Sequence, residues 1–240
     1  ENIMQTNSYM SWACFYNVIN RANTVLEFAP LVAEKDPNYR VSELYANIAE
    51  AKAIRALSYF YLIRAYKDVP YVTIPSTDDT NEFVVPAEKF ENILDSLIMD
   101  LEEVRTYAVN KYTNKKANTA RFTRNGIDAL LADLYLWDGD WDNCIAAVDR
   151  IVANRVEEYK EILEKEPNTT LVLFNNEYPL ISNLSPGSGN LGNAYNEIFG
   201  KGNSFETLFE LAFEGGKGSV ENTFIRNYYA DRRQSSNSIG

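Results

Sequence analysis

Four aspartates in one short stretch are the residues that most resemble a metal site. Asp138, Asp140 and Asp142 have the alternate spacing that opens a calcium-binding loop. Asp149 stands where such a loop closes, but the mid-loop position that requires glycine is Asn143, and the bidentate glutamate is missing. We therefore interpret the stretch as a solvated turn between helices and predict no metal site and no cofactor.

Histidine-dependent chemistry is excluded by composition, because the 240-residue chain contains no histidine. Its absence removes Ser-His and Cys-His nucleophile systems and histidine-based zinc sites. Glu50 and Arg55 could suggest an acid–base pair, but they lie five residues apart on one predicted helix, outside any recognisable catalytic pattern. A structural ion pair, or hydrogen bonds to a helix end, is the better interpretation. We predict that the chain is not an enzyme.

The helices that would position these residues are predicted from apolar side chains that recur at offsets of three and four. The five predicted segments are residues 9–26, 42–67, 90–104, 123–137 and 141–153. Ser42 and Thr123 are predicted N-caps, and the first helix is predicted to end before Pro30, because proline disrupts a helix interior. The turn at 138–140 is so tight that the last two helices must pack antiparallel.

A tetratricopeptide-like repeat is predicted for that last pair of helices. Small, aromatic and apolar residues follow the offsets of such a unit at Ala132, Tyr135, Gly139, Cys144, Val148 and Ile151. Polar residues at 71–86 and 110–119 predict loops between the helices. Because several stacked pairs are needed to bury a continuous core, the sequence predicts a mostly α fold of stacked helix pairs over residues 1–155.

The second part of the chain, residues 156–240, is predicted to be irregular and loop-rich. A short β-prone run lies at 168–174, and residues 205–213 alternate enough to predict a strand. Between them, residues 175–203 are rich in Asn, Gly and Ser. Long loops on a rigid helical scaffold are where binding residues concentrate.

Charge and apolar patterning limit the partners of the chain. The formal net charge is -11, so the average surface repels phosphate backbones, and we expect no nucleic-acid partner. No apolar run is long enough to span a bilayer. The start at Glu1 has neither an initiator Met nor signal-peptide character, so we expect a piece of a longer protein. Cys14 and Cys144 lie in apolar helical patterns, which predicts small buried thiols.

The predicted helices resemble the SusD/RagB family of outer-membrane lipoproteins. The most specific match is the stretch 49–70, which is similar to the family signature AEA..LRA..YF.L...YGDVP. Further matches extend the resemblance over residues 9–153. The chain departs from the family pattern at Ala53, Lys67 and Gly126, where the family usually has a large aromatic residue, glycine and alanine. These positions concern helix ends and packing, so the fold assignment stands.

The resemblance implies a non-catalytic protein that captures oligo- or polysaccharide and passes it to a SusC-like TonB-dependent transporter. It further implies a location on the extracellular face of the outer membrane of a Gram-negative bacterium. A family member is held there by an N-terminal lipid anchor that is absent from this sequence. A second interpretation is a helix-repeat protein-interaction module without sugar affinity.

A glycan ligand would need exposed aromatic rings beside polar side chains, since sugar rings present apolar C–H faces flanked by hydroxyl groups. Aromatic residues at helical spacing are predicted to be core, at Trp12, Tyr16, Tyr59, Phe60, Tyr135 and Trp141. Tyrosines in predicted loops are the better ligand candidates. Tyr71 follows the second helix, Tyr178 lies close to Asn176, and Tyr195 precedes Asn196. These last five residues form the predicted ligand-binding set.

Overall fold

The protein is a stack of helices with few short strands. The computed structural model describes residues 11–77 and 84–168, together with residues 173, 178–182, 193–195, 198 and 204–211. The elements are α1 (Ala13–Lys35), α2 (Val41–Tyr66), β1 (Val69–Pro70), β2 (Ala87–Glu88), α3 (Phe90–Val104), α4 (Lys115–Ala120), α5 (Arg124–Asp138) and α6 (Trp141–Lys165). A 3₁₀ turn follows α3 at Arg105–Tyr107, and one helical turn lies at Asn193–Tyr195. The mostly α class predicted from the sequence is confirmed.

Each long helix packs against its neighbour in the order α1, α2, α3, α5 and α6. Neighbouring helices run antiparallel, because contacting residue numbers rise on one helix as they fall on the next. In the first pair, Trp12 lies against Tyr66 and Asn23 binds Arg55. The same pattern joins α2 to α3 and α5 to α6. The arrangement is the stack of helix pairs that the repeat pattern predicts.

The core lies between α2, α3 and α5, with α2 at its centre. Its apolar residues occupy much of the α2 circumference, so this helix contacts α1 on one side and α3 on another. Small residues at Ala49, Ala53 and Ala56 are fully buried and allow the neighbouring helices to approach closely. The largest fully buried side chains include Tyr59, Phe60, Leu62, Ile63, Ile93, Leu97, Leu101, Ile127, Leu131 and Leu134.

Two predicted helix C-termini are wrong, and so is the predicted N-cap Ser42, which lies inside α2 because that helix is capped by Arg40. The first helix does not end before Pro30 but continues to Lys35, because proline removes a single hydrogen bond from a helix of 23 residues. The last helix does not end near Ala153 but continues to Lys165, since its sequence contains no glycine or proline until Pro167. Helix therefore crosses the predicted boundary at residue 155, and the division of the chain there stays a prediction.

Two segments outside the long helices differ from the prediction. Part of the predicted loop at 110–119 forms α4, because the Asn114 side chain accepts hydrogen bonds from the amides of Lys116 and Ala117. Residues 204–211 form turns and loop, so the strand predicted for 205–213 is wrong over its described part. Residues 212 and 213 lie outside the described residues.

Short strand pairings close two of the loops. The antiparallel pair β1–β2 joins the two ends of the loop after α2, with Val69 opposite Glu88 and Pro70 opposite Ala87. An isolated antiparallel bridge joins Leu173 to Ile181. In the described part of the chain, no helix is long and apolar enough to cross a membrane.

The turn between α5 and α6 depends on Gly139, which has a left-handed φ of 82°. The amide of Asp140 donates to the Tyr135 carbonyl at 3.0 Å, and the Asp140 side chain caps α6. A Cβ atom at Gly139 would meet nothing within 4 Å, so substitution there strains the backbone alone. The tight antiparallel turn predicted from the sequence is confirmed.

Replacing Gly139 with alanine should lower the free energy of unfolding by about 1 kcal/mol, because the left-handed conformation disfavours a Cβ atom. Urea unfolding followed by circular dichroism measures the change. The matched control is Asp138→Ala, an exposed neighbour at the end of α5, which should leave stability nearly unchanged. Equal stability of the Gly139 variant and the wild type would contradict the role of this turn.

Candidate ligand-binding surface

The residues that first suggested chemistry have structural roles. The Asp140 carboxylate caps α6, accepting from the Asn143 amide at 3.1 Å and from its side chain at 2.6 Å. No group of three Asp, Glu or Cys side chains within the described ranges could hold a metal ion. The Asp140 carboxylate therefore stabilises the start of α6.

Glu50 and Arg55 do not pair with each other, since an offset of five places them on different faces of α2. Both Glu50 oxygens accept from the Arg121 guanidinium, which lies just beyond α4. Arg55 is buried and donates to Asn23 at 2.9 Å and to Asp100 at 2.6 Å. The expected ion pairing occurs, but its partners lie on other elements.

The loop that follows β1 is held against α1 by two asparagines. Asn20 forms a paired contact with Ser76, donating to its carbonyl at 3.2 Å and accepting from its amide at 2.7 Å. Asn23 donates to the Val72 carbonyl at 3.0 Å and is itself bound by the buried Arg55. The first residues of the loop are therefore bound to the scaffold through their backbone.

The buried Tyr59 and the half-buried Tyr16 complete the attachment of this loop. The Tyr59 hydroxyl donates to the Val72 carbonyl at 2.9 Å and accepts from the Val72 amide at 2.7 Å. The Tyr16 hydroxyl donates to the Pro70 carbonyl at 2.7 Å. Burial raises the pKa of Tyr16 to about 12 and also raises the pKa of Tyr59. Both phenols therefore stay protonated at neutral pH and keep a hydrogen to donate.

The predicted ligand-binding residues lie on three separate segments. Tyr71 is half-buried, with its ring centroid 4.8 Å from that of Tyr59, so part of its surface is already covered. Tyr178 is 58% exposed, and Tyr195 is 72% exposed in the helical turn Asn193–Tyr195. Asn176 and Asn196 lie outside the described residues. A ligand role for these five residues stays a prediction.

Two tryptophans that the helical spacing assigned to the core are exposed instead. Trp12 is 41% exposed and stacks on Tyr66, with ring centroids 5.5 Å apart. Trp141 is 62% exposed at the start of α6. Periodicity identifies the apolar face of a helix, but it does not tell whether a further helix covers that face. The other four predicted core rings are buried or half-buried.

Nothing in the sequence indicated a further pair of exposed rings on the scaffold. Tyr45 of α2 and Tyr107 of the 3₁₀ turn stack with their centroids 4.9 Å apart, although they are 62 positions apart in the chain. Both rings are about half exposed. Pairing between positions so distant in sequence depends on how α2 packs beside α3, which local periodicity does not encode. Cys14, predicted to be a buried thiol, is likewise exposed.

Comparison with known proteins places this arrangement in a family. Residues 1–136, more than half of the chain, match the SusD-like family model described as starch-binding and associating with the outer membrane. The chain belongs to the SusD-like family. The resemblance seen in the helical signature is therefore confirmed.

Curated SusD-like proteins are similar to this chain in sequence. A SusD-like protein of Formosa agariphila is 24% identical over 152 residues, which cover 62% of this chain and 27% of the relative. A SusD-like protein of Bacteroides ovatus is 29% identical over 136 residues, covering 55% of this chain and 23% of the relative. The chain spans about a quarter of the length of these curated relatives.

Solved SusD-like structures share the helical arrangement. A laminarin-binding SusD-like protein is 27% identical, with a TM-score of 0.52 over 58% of this chain and 29% of the other. A SusD superfamily protein of Bacteroides thetaiotaomicron is 25% identical, with a TM-score of 0.55 over 62% of this chain and 34% of the other. The shared part corresponds in extent to the stacked helices rather than to a whole relative.

Proposed function

We propose that this SusD-like chain belongs to a protein that binds oligo- or polysaccharide and makes or breaks no covalent bond. Membership of a family described as starch-binding is the observation that carries the proposal. A similar solved structure is a laminarin-binding protein. The exposed rings of Tyr178 and Tyr195, outside the long helices, supply planes that could stack on sugars.

We further propose that the protein acts at the extracellular face of the outer membrane and delivers glycan to a SusC-like TonB-dependent transporter. The family description supports the proposed location, since its members associate with the outer membrane. Co-purification of the tagged protein from outer membranes tests the partner. Recovery of a TonB-dependent transporter in stoichiometric amounts supports delivery, whereas recovery without any transporter contradicts it.

Calorimetry with soluble starch, laminarin, levan and mucin glycans tests the proposed capture. Binding of at least one glycan with no release of reducing sugar is the expected result. Turnover that disappears on substitution of one carboxylate would show an enzyme instead. No binding by a folded, full-length protein would favour the alternative function.

The alternative, a helix-repeat module that holds a protein segment, is favoured by a groove between α1 and α2. The groove has a volume of about 500 Å³ and is lined mainly by apolar side chains. Val18, Ala22 and Val25 of α1 face Ala51 and Ile54 of α2 across it. An apolar helix face could occupy such a groove, whose polar lining residues Asn47 and Glu50 are already bonded to Tyr39 and Arg121. The same calorimetry separates the two functions.

Alanine at Tyr178 or Tyr195 should weaken glycan binding by about tenfold for each ring that stacks on sugar, since a well-placed ring contributes about 1.4 kcal/mol. Calorimetry with the glycan that binds the wild type measures the loss. Tyr107→Ala is the matched control, because Tyr107 is 50% exposed but lies on the helical scaffold. Equal affinities of all three variants and the wild type would exclude both loop tyrosines from the site.

A further inference from the structure

Residues 204–209 form a compact turn that contacts both the helices and the segment of Tyr178. We call these residues the clip. Within it, the Thr207 amide donates to the Ser204 carbonyl at 3.1 Å, and the Glu206 amide donates to the Ser204 hydroxyl at 3.3 Å. The turn directs the Glu206 side chain and the Thr207 carbonyl to different partners. All of these residues belong to the compact unit that ends at Phe209.

Arg155 of α6 anchors one side of the clip. Its guanidinium donates to the Thr207 carbonyl at 2.8 Å and to Glu158 at 2.6 Å, and lies 5.2 Å from the centre of the Phe205 ring. Arg155 is only 7% exposed. Burial raises the pKa of Glu158, but Lys111 and Arg155 more than offset this and leave that pKa below its ordinary value. The anchor is therefore an ionised, largely buried contact.

Gly126 of α5 lets the other side of the clip approach closely. A Cβ atom at this position would lie 3.2 Å from the Leu208 carbonyl oxygen and 3.3 Å from the Phe122 ring. Next to it, Phe209 stacks on Phe122 with ring centroids 4.1 Å apart. Gly126 is one of the positions where the sequence departs from the family signature, which usually has alanine there. In this chain, the glycine leaves space that the Leu208 carbonyl occupies and that an alanine methyl group would crowd.

Glu206 joins the clip to the segment that carries Tyr178. Its carboxylate accepts a hydrogen bond from the Ile181 amide. Ile181 also forms the antiparallel bridge with Leu173, and the Leu180 amide donates to the Tyr178 carbonyl at 2.8 Å. The backbone from Tyr178 to Ile181 is therefore a tight turn, fixed at one end by the clip.

We propose that the clip positions the Tyr178 ring for contact with glycan, with Glu206 and Arg155 as positioning residues. The proposal rests on the proposed glycan binding. Three contacts connect α5 and α6 to Ile181: Arg155 with the Thr207 carbonyl, Gly126 with the Leu208 carbonyl, and Glu206 with the Ile181 amide. Ile181 lies three residues from Tyr178, whose ring is exposed. A substitution in the clip should therefore shift the Tyr178 ring, although the clip itself does not contact the glycan.

Amide hydrogen exchange at Ile181 tests the clip directly. Glu206→Ala removes the acceptor of this amide, so its exchange should accelerate about tenfold or more. Arg155→Ala should give a similar acceleration by releasing the Thr207 carbonyl. The matched control is Glu161→Ala, which removes a carboxylate from the exposed end of α6 and should leave Ile181 unchanged. Unchanged exchange in the Glu206 variant overturns the proposal.

Two further variants separate positioning from folding. Arg155→Lys keeps a charge for Glu158 but lacks the planar fork that reaches Thr207 at the same time, so Ile181 should exchange nearly as fast as in Arg155→Ala. Gly126→Ala favours the α5 helix while displacing the Leu208 carbonyl by a few tenths of an ångström. It should speed exchange at Ile181 severalfold with no loss of helix. Wild-type exchange in both variants would contradict anchoring by α5 and α6.

Glycan affinity completes the test, using soluble laminarin and soluble starch as the probes. Glu206→Ala should lose about as much affinity as Tyr178→Ala, roughly tenfold, and the double variant should lose no more than either one. If the wild type binds neither these nor other glycans, the proposed function fails, while Ile181 exchange still decides whether the clip exists. Faster exchange with unchanged affinity overturns the positioning role of the clip.

Discussion

Replacing Arg55 with methionine should lower the free energy of unfolding by about 3 kcal/mol, because one partner is removed from a buried ion pair. The Arg55 side chain is 6% exposed and lies 2.6 Å from the Asp100 carboxylate. Its loss also leaves the Asn23 side-chain oxygen without this donor. Lys52, which lies 2.9 Å from Asp100, keeps part of the charge balanced and limits the loss. Urea unfolding measures the change.

The Glu50–Arg121 pair provides the matched control for Arg55. The Arg121 side chain is 45% exposed, so Arg121→Met should cost less than 1 kcal/mol, as is usual for solvent-exposed ion pairs. Both variants remove an arginine from a contact between distant parts of the chain, but only one contact is buried. Equal losses in the two variants would contradict the central place of Arg55 in the scaffold.

Loss of Arg55 should also loosen the loop after β1. Asn23 bridges Arg55 and the Val72 carbonyl, so its amide group is oriented by the guanidinium. In the Arg55 variant, the Val72 amide stays bonded to Tyr59, whereas the contacts of Asn23 weaken. The stretch that resembles the family signature thus combines a core helix with the attachment of a loop.

The helical fold could be predicted because its signals are local. The Thr123 side chain accepts from the Gly126 amide at 3.3 Å, as the N-cap prediction requires. Gly139 ends α5 in a left-handed conformation at the predicted turn. The spacing from Phe90 to Val104 defines α3 with the predicted bounds. Each of these features depends on residues within one turn of each other, so one sequence suffices to find them.

Contacts between distant residues could not be predicted in the same way. The partners of Arg55 lie 32 and 45 positions away, and the offset of Glu50 from Arg55 gave no indication of either. The segment 205–213 has the alternation of a strand, yet Phe205 packs on α6 and Phe209 packs on Phe122, which precedes α5. The backbone between the two rings turns. Tertiary contacts override local preference at such positions.

The candidate ligand surface was only partly accessible to sequence reasoning. Composition indicated that loop tyrosines would be exposed, and Tyr178 and Tyr195 are. The same reasoning placed Tyr71 with them, although its ring packs on Tyr59 and burial raises its pKa. The exposure of Trp141 depends on whether another layer follows α6, and a helical pattern contains no information about that layer. Ring exposure is therefore a property of the stack rather than of any one helix.

Replacing Asp128 with alanine should lower the free energy of unfolding by about 3 kcal/mol, because Arg150 and Arg105 lose a buried carboxylate, although they keep the more exposed Glu102 as a partner. The Asp128 side chain is 3% exposed and accepts from Arg150 of α6 at 2.8 Å. Arg105, which follows α3, lies 3.8 Å from the same oxygen. One carboxylate of α5 thereby balances cations from both neighbouring helices, and urea unfolding measures its contribution.

Two controls separate the charge of Asp128 from its place on the helix. Asp128→Asn keeps the size and one acceptor oxygen but loses the charge, so its loss should be smaller than that of the alanine variant. Asp133→Ala changes the same helix where the side chain is 45% exposed and 3.7 Å from Arg64, and should cost less than about 0.5 kcal/mol. If all three variants unfold alike, the helix stack is held by apolar packing alone. A loss confined to Asp128 instead shows that α3, α5 and α6 are fixed to one another by this buried charge.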